Sequence, residues 1–182
     1  MRDNPFSLDP GAVLLLGLLI FTLRPRELTA LIIAAAVHEF GHWICLRWMR
    51  VPVCGFSVSL SGPVLRCGEA ANRTGQIIAA LSGPFAGILF WLACSAFWPL
   101  CAELSLVLSL VNLLPILPLD GGMALRTILK NQRFLSGLAF ASASVMVLAG
   151  IYAFGNGEGT GLLLFGIWLA LLACQGDEND VK

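Results

Sequence analysis

The sequence predicts an all-α polytopic membrane protein with about six transmembrane helices and one short cytoplasmic-side β-hairpin between the second and the third. Three observations predict this class. Of the 182 residues, 58% are hydrophobic and 12% are charged, whereas soluble domains carry about 25% charged residues. Several apolar runs are long enough to cross a bilayer, which takes about 20 residues. One loop alternates apolar residues with serines, which is the period of a β-strand.

Six predicted spans follow one another along the chain. Each is a run of apolar residues, at 11–23, 28–46, 76–100, 104–119, 134–154 and 161–174. We expect the third to be broken at Ser82-Gly83-Pro84 and the fourth at Pro115 and Pro118, because a proline inside a helix removes a backbone hydrogen bond. Since the spans and their connections account for nearly every residue, we expect one membrane-embedded domain over residues 1–182.

The segment 47–75 is the long loop between the second and third predicted spans. Phe56 to Ser61 alternates apolar residues with serine, as a strand with two different faces does. Gly62-Pro63 is a turn signal, and Val64-Leu65 begins a return strand. We therefore expect a short hairpin with one apolar face towards the membrane or the protein.

The distribution of positive charge predicts the orientation in the membrane. With the N-terminus in the cytoplasm, the outer loops hold two cationic residues and the inner segments hold nine, namely Arg2, Arg47, Arg50, Arg66, Arg73, Arg126, Lys130, Arg133 and Lys182. Both termini are then cytoplasmic in a multi-pass protein of the cell membrane. The second and fourth spans run inward, so polar residues near their inner ends fall at similar depth. The formal net charge of zero gives no indication of nucleic-acid binding.

An H-E-x-x-H motif lies in the second span. Glu39 is the only charged residue between 28 and 46, and an ionisable residue inside a span indicates a functional site. On a helix, His38 and His42 lie on one face and can share a zinc ion; they are the two histidines of the chain. Glu39 can then take a proton from the water that the metal activates. The structural alternative is that neighbouring helices satisfy all three side chains.

Asp120 is the candidate for a third metal ligand. A catalytic zinc has three protein ligands and one open position, and Asp120 is the other carboxylate near the expected depth of the motif. It equally suits an N-cap of the helix that begins with Gly121-Gly122. The sequence pattern alone does not decide between the role of metal ligand and the role of N-cap. The depth that Asp120 shares with the motif favours the role of metal ligand, and we expect one zinc ion per chain.

Two stretches together resemble a known family. His38-Glu39-Phe40-Gly41-His42 and the N-x-x-P-x-x-P-x-D-G pattern that starts at Asn112 are similar to the site-2 protease family of intramembrane zinc metalloproteases. The resemblance is closest to the sporulation-type branch, which cleaves a membrane-associated pro-sigma factor, and it covers a catalytic core of about 28–122. It implies that His38, His42 and Asp120 bind zinc and that Glu39 is the catalytic base.

Two departures from the family pattern concern substrate contact and regulation. Many members carry G-P-x-x-N in the third span, whereas this chain has Gly83-Pro84-Phe85-Ala86-Gly87. A contact made by that asparagine is therefore missing or supplied elsewhere. We expect neither a nucleotide-binding regulatory domain after the last span nor an inserted PDZ domain.

Four residues are candidates for substrate binding, and each has a structural alternative. Gly83 and Pro84 would open the third span to water and substrate, or would simply kink it. Asn112 would hydrogen-bond the substrate backbone or the developing oxyanion, or a carbonyl of its own helix. Val58 would lie in a strand that pairs with an extended substrate, or in a hairpin that only seals the loop to the membrane surface.

The expected function is cleavage of a membrane-spanning or membrane-associated protein, with the lipid bilayer and an inhibitory membrane protein as further candidate partners. One alternative is a catalytically inactive pseudoprotease that binds membrane proteins, and the intact set of His38, Glu39, His42 and Asp120 argues against it. Another is a small transporter with ion-binding carboxylates near the midplane, which predicts two related halves. The sequence contains no internal repeat of that kind.

Overall fold

A computed structural model of the chain describes residues 6–8, 17, 20, 23–51, 53–59, 62–67, 72–129, 131–157 and 160–179. For the three strands and for residues 175–179 the structure describes the backbone and not the side chains. The elements in chain order are β1 (Phe6–Leu8), α1 (Pro25–Trp48), β2 (Val53–Ser59), β3 (Gly62–Cys67), α2 (Arg73–Cys94), α3 (Pro99–Asn112), α4 (Asp120–Ile128), α5 (Gln132–Gly155) and α6 (Gly161–Asn179). Nearly all of the predicted first span, 11–23, lies outside the described residues.

Three of the six described helices, α1, α2 and α5, are long and apolar enough to cross a membrane. Two shorter apolar helices cover Pro99–Asn112 and Gly161–Cys174. The prediction of a helical protein with helices that could span a membrane is therefore confirmed. The presence of six spans stays a prediction.

Helix α1 has the side-chain arrangement of a membrane helix. Its buried residues are mostly small: Ala30, Ala34, His38, Gly41, Cys45 and, as the one large aliphatic residue, Leu46. Large apolar side chains are exposed on the rest of its surface: Ile32, Ile33, Phe40, Trp43 and Ile44. Small residues inside and large apolar residues outside suit a helix that packs closely against other helices and faces lipid.

The helices differ from the sequence prediction in three places. Helix α2 runs through Ser82-Gly83-Pro84 without interruption, because a proline lacks one N–H and a helix held by its other bonds continues past it. It ends at Cys94, and α3 begins at Pro99, where a proline at the first helical position costs no hydrogen bond. Helix α3 ends at Asn112, so the predicted span to residue 119 was too long at this end.

The long loop after α1 contains two strands of a three-stranded sheet with the order β1-β2-β3. Strands β2 and β3 pair antiparallel, with Phe56 opposite Leu65. Strand β1 pairs with β2 in parallel, with Leu8 opposite Val58. The position of these strands relative to a membrane and to substrate stays a prediction.

The chain divides into two compact units, residues 1–112 and 113–182. In the first unit α1, α2 and α3 pack against one another, and β3 lies beside α1. A Cβ built on Gly41 of α1 would lie 2.5 Å from the Cβ of Ala86 and 2.6 Å from the carbonyl oxygen of Ser82. Gly41 therefore sets how closely α1 approaches α2.

The second unit is built on the pair α5 and α6. Its buried apolar core consists of Ile116, Leu119, Ala139, Ala143, Leu169, Leu172 and Ala173. Two glycines allow the helices to touch along their backbones: a Cβ on Gly150 would lie 2.5 Å from the Cα of Leu163, and one on Gly166 would lie 2.9 Å from the carbonyl of Met146. Single-domain organisation over residues 1–182 stays a prediction.

Candidate metal centre

Helix α1 positions His38 and His42 on one face, as the helical period predicts. The N-terminal end of the helix is stabilised because Pro25 lies in its first turn and the Arg24 backbone N–H donates to Glu27 Oε2 over 3.0 Å. His38 is buried, with 5% of its surface exposed, and His42 is half-buried. The two rings meet edge to face, with their centroids 4.9 Å apart.

The spacing of the two imidazoles fits a shared metal ion. The Nε2 atoms of His38 and His42 are 3.2 Å apart. Two nitrogens bound to one tetrahedral zinc at about 2.0–2.1 Å are roughly 3.3–3.4 Å apart. The rings therefore need to move by only a few tenths of an ångström to bind the same ion.

Helix α2 lies against the ring of His42 at both ends, with Ala79 and Ser82 beside Nδ1 and Gly83 beside Nε2. His42 Nδ1 lies 2.8 Å from the carbonyl oxygen of Ala79 and 3.3 Å from Ser82 Oγ. Gly83 is buried against the same ring, and a Cβ built on it would lie 2.6 Å from His42 Cδ2 and 2.7 Å from Cε1. The absence of a side chain at Gly83 therefore provides the space that the imidazole occupies.

Gly83 and Pro84 were predicted to bind substrate, and both are buried in α2. Gly83 makes room for a histidine ring, which is a packing role. A substrate contact by either residue stays a prediction. Glu39 follows His38 on α1 and is half-buried, and its role as a base likewise stays a prediction.

In the second unit, Asp120 is the first residue of α4 and is half-buried. The N-cap position is Leu119, so Asp120 does not occupy the capping position that the alternative interpretation gave it. A carboxylate in the first turn is still stabilised by the helix dipole.

Two glycines fix the start of α4 on the preceding segment. A Cβ on Gly121 would overlap the backbone carbonyl of Leu113, and one on Gly122 would lie 2.6 Å from the carbonyl oxygen of Ile116. The segment 113–119 turns back on itself, with Leu119 N–H donating to the Ile116 carbonyl over 2.8 Å. The Asp120-Gly121-Gly122 sequence thus places the carboxylate at the end of a tightly packed turn.

In the first unit, His38 and His42 present two imidazole nitrogens that could hold a metal ion, and Asp120 of the second unit stays the predicted third ligand. Two imidazoles and one carboxylate are a donor set found in catalytic zinc sites, which keep a fourth position open. The chemistry of the donors and the spacing of the two imidazole nitrogens both fit zinc.

Asn112 adopts the structural alternative that the sequence left open. Its Nδ2 donates to the carbonyl oxygen of Leu108 in the same helix over 2.9 Å. Val58 lies in β2, the central strand among those described, where it is paired with Leu8 on one side and Pro63 on the other. Contacts of Asn112 and Val58 with substrate stay predictions.

At the position of Gly87, many members of the family that the sequence resembles carry asparagine. A Cβ on Gly87 would overlap Ser109 Oγ of α3 and would lie 3.1 Å from Ser105 Oγ. Both serines are fully buried, and the Ser105 hydroxyl donates to the Gly87 carbonyl over 3.3 Å. The glycine is therefore matched to two serines on the facing helix, which fill the space of a larger side chain.

No pattern of residue types predicts the contacts of His42 with α2. Ala79 contributes a backbone carbonyl, which every residue type carries. Ser82 was recognised as part of a helix break, and its hydroxyl is the feature that could have drawn attention to it, since a polar residue in a span usually has a partner.

Comparison with known proteins gives three similarities. The model of peptidase family M50 matches residues 68–153. A Synechocystis protein named as a zinc metalloprotease is 28% identical over 156 residues, and the match covers 68% of this chain and 41% of that protein. This chain therefore spans less than half the length of the curated relative. The site-2 protease from Methanocaldococcus jannaschii has 20% sequence identity and a TM-score of 0.67, with 96% of this chain and 92% of that chain covered, and thus shares the fold.

Proposed function

We infer from these comparisons that the chain is a member of peptidase family M50, the family of the site-2 proteases, and we propose that it is an intramembrane zinc metalloendopeptidase. The observation that carries the proposal is the pair of Nε2 atoms 3.2 Å apart. They belong to His38 and His42 of a helix that is apolar enough to span a membrane. Histidines are costly in such a helix unless they serve a site.

In this proposal His38, His42 and Asp120 hold one zinc ion, and Glu39 is the catalytic base. Zinc, when bound, polarises the scissile carbonyl and brings the pKa of a coordinated water down to about 7. Glu39 takes a proton from the attacking water as its oxygen bonds to the carbonyl carbon. The same carboxyl group then gives the proton to the amide nitrogen as the C–N bond breaks.

The substrate of this proposed enzyme is a membrane-spanning or membrane-associated protein. A helix hides its peptide bonds in internal hydrogen bonds, so the substrate must be extended where it is cut. Strand pairing with the described sheet would use β1 or β3, because β2 is central there. A pro-sigma factor is the candidate that the sporulation-type resemblance suggests, and an inhibitory membrane protein is a candidate regulator.

The proposed location is the cell membrane, with both termini and the site towards the cytoplasm. The charge bias supports this orientation, because nine cationic residues fall in the predicted inner segments and two in the predicted outer loops. In that orientation β2 and β3, which follow α1, lie on the cytoplasmic side.

Elemental analysis of detergent-purified protein tests the proposal without a substrate. We expect close to one zinc per chain in the wild type and loss of that zinc in the His38→Ala/His42→Ala variant. Metal-free wild type after gentle purification would contradict the proposal and would favour a binding protein without hydrolytic activity.

A second experiment separates metal binding from hydrolysis. Candidate single-pass or membrane-associated proteins are co-expressed with wild type or with Glu39→Gln. We expect cleavage by the wild type alone. Cleavage that persists in Glu39→Gln would rule out Glu39 as the base.

A further inference from the structure

We propose that Ser82 is a positioning residue which, together with the carbonyl of Ala79, holds His42 in the tautomer and orientation that present Nε2 to the metal. This inference rests on the proposed function, because it concerns the same metal site. It adds a contribution from α2, a helix that carries none of the predicted ligands.

The tautomer follows from the chemistry of the partner atom. His42 Nδ1 lies 2.8 Å from the carbonyl oxygen of Ala79, which is ordinary hydrogen-bond distance. A carbonyl oxygen can only accept, so Nδ1 carries the proton and donates it. In a neutral imidazole the other nitrogen then keeps its lone pair. The lone pair of His42 is therefore on Nε2, the nitrogen 3.2 Å from His38 Nε2.

Ser82 acts on the same carbonyl and on the same ring nitrogen. Its hydroxyl donates to the Ala79 carbonyl oxygen over 2.7 Å. That donation leaves the lone pairs of Oγ available, and Oγ lies 3.3 Å from His42 Nδ1. The Nδ1–H group is thus shared between a close carbonyl and a more distant hydroxyl. Two acceptors on one side of the proton restrict rotation of the ring better than one.

The remaining freedom of the ring is limited by Gly83. The ring lies against the Cα of this residue, where a Cβ would be 2.6 Å from His42 Cδ2. Ala79, Ser82 and Gly83 occupy one turn of α2, so a single helix contacts both the Nδ1 end and the Nε2 end of the imidazole. Partners of this kind, which orient a ligand through its other nitrogen, typically contribute 10–100-fold to metal affinity or activity.

The first test is zinc affinity, measured by competition with a chelator in detergent. We expect Ser82→Ala to weaken binding about tenfold, the lower end of the range for such partners, because the Ala79 contact remains. Ser82→Thr keeps a hydroxyl that can bond the carbonyl one turn back, and should stay within about threefold of wild type.

Ser142→Ala is the matched control. Its hydroxyl is half-buried and donates to a carbonyl of its own helix, Leu138, over 2.9 Å, and it lies on α5 in the second unit. We expect no change in its zinc affinity. Unchanged affinity in Ser82→Ala, or an equal loss in Ser82→Thr, would overturn the positioning role of the hydroxyl.

The second test reads the tautomer in wild-type protein and uses one variant only to assign the signals. The chain has two histidines, so nitrogen NMR of protein labelled with ¹⁵N-histidine gives a spectrum of two imidazoles, and a His38→Ala sample assigns them. In zinc-loaded wild type we expect a protonated Nδ1 and a metal-shifted Nε2 for His42. A metal-shifted Nδ1 would overturn the inference. Wild type that binds no zinc would instead contradict the proposed function, so the two failures are distinct.

Discussion

Substitution of Gly83 by alanine should disturb the metal site more than any other single-methyl change in α2. The new Cβ would lie 2.6 Å from His42 Cδ2 and 2.7 Å from Cε1. Carbon atoms in contact are ordinarily about 3.5–4.0 Å apart, so the overlap is about 1 Å. Either the imidazole turns away or α1 and α2 separate, and both movements displace Nε2 from its 3.2 Å spacing to His38.

The expected loss of affinity follows from the cost of overpacking. An extra methyl in a well-packed site costs about 1–3 kcal/mol. If the metal-binding arrangement carries this cost, zinc binding weakens about 5- to 150-fold, since each 1.4 kcal/mol is a factor of ten. Chelator competition measures this range directly.

Gly137→Ala provides the control for this prediction. Gly137 is a helical glycine of α5 at which a Cβ would meet nothing within 4 Å. The substitution should leave zinc affinity unchanged and should slightly stabilise the helix, because alanine has the higher helix propensity. Wild-type zinc affinity in Gly83→Ala would refute the argument that this glycine makes room for the ring.

Three further predictions concern the base, the α2–α3 contact and the start of α4. Glu39→Gln should keep its zinc on elemental analysis and lose at least about 100-fold in cleavage rate; loss of the zinc would show that Glu39 supports the metal. Gly87→Ala should lower the free energy of unfolding by about 1–3 kcal/mol through overlap with Ser109 Oγ, and addition of Ser109→Ala should restore part of it in the same denaturation assay. Gly122→Ala places a methyl 2.6 Å from the Ile116 carbonyl oxygen. It should lower the zinc content measured by elemental analysis although the proposed ligand Asp120 is still present. Full zinc content would contradict the supporting role of this turn.

The helix pattern and the motif were predictable because they depend on residue type and spacing. Apolar runs and charge-free stretches mark α1, α2 and α5, and a spacing of four residues places His38 and His42 side by side on a helix. Two of the errors in the helices involve proline. Pro84 was expected to break α2, but the rest of the helix bridges the one missing hydrogen bond. Residues 113–119 were counted in the fourth span, although Pro115 and Pro118 lie beyond the last turn of α3.

The support of the site was not predictable, because it depends on which helices touch. The partner of His42 is a backbone carbonyl 37 residues further along the chain, and no side-chain pattern encodes such a contact. Gly41 and Gly83 were visible in the sequence, but a glycine in a span has several uses. Their role became apparent only from the atoms that a Cβ would meet.

The bond between His42 and Ala79 has a consequence for how the protein matures. During synthesis α1 leaves the ribosome well before Ala79 does, so an α1 inserted alone has its H-E-x-x-H sequence but not the carbonyl that orients His42. The orientation is completed when α2 packs against Gly41 of α1. If the chain is the proposed zinc enzyme, it acquires zinc after α1 and α2 associate, and a nascent chain stalled before residue 79 lacks the contact that orients His42.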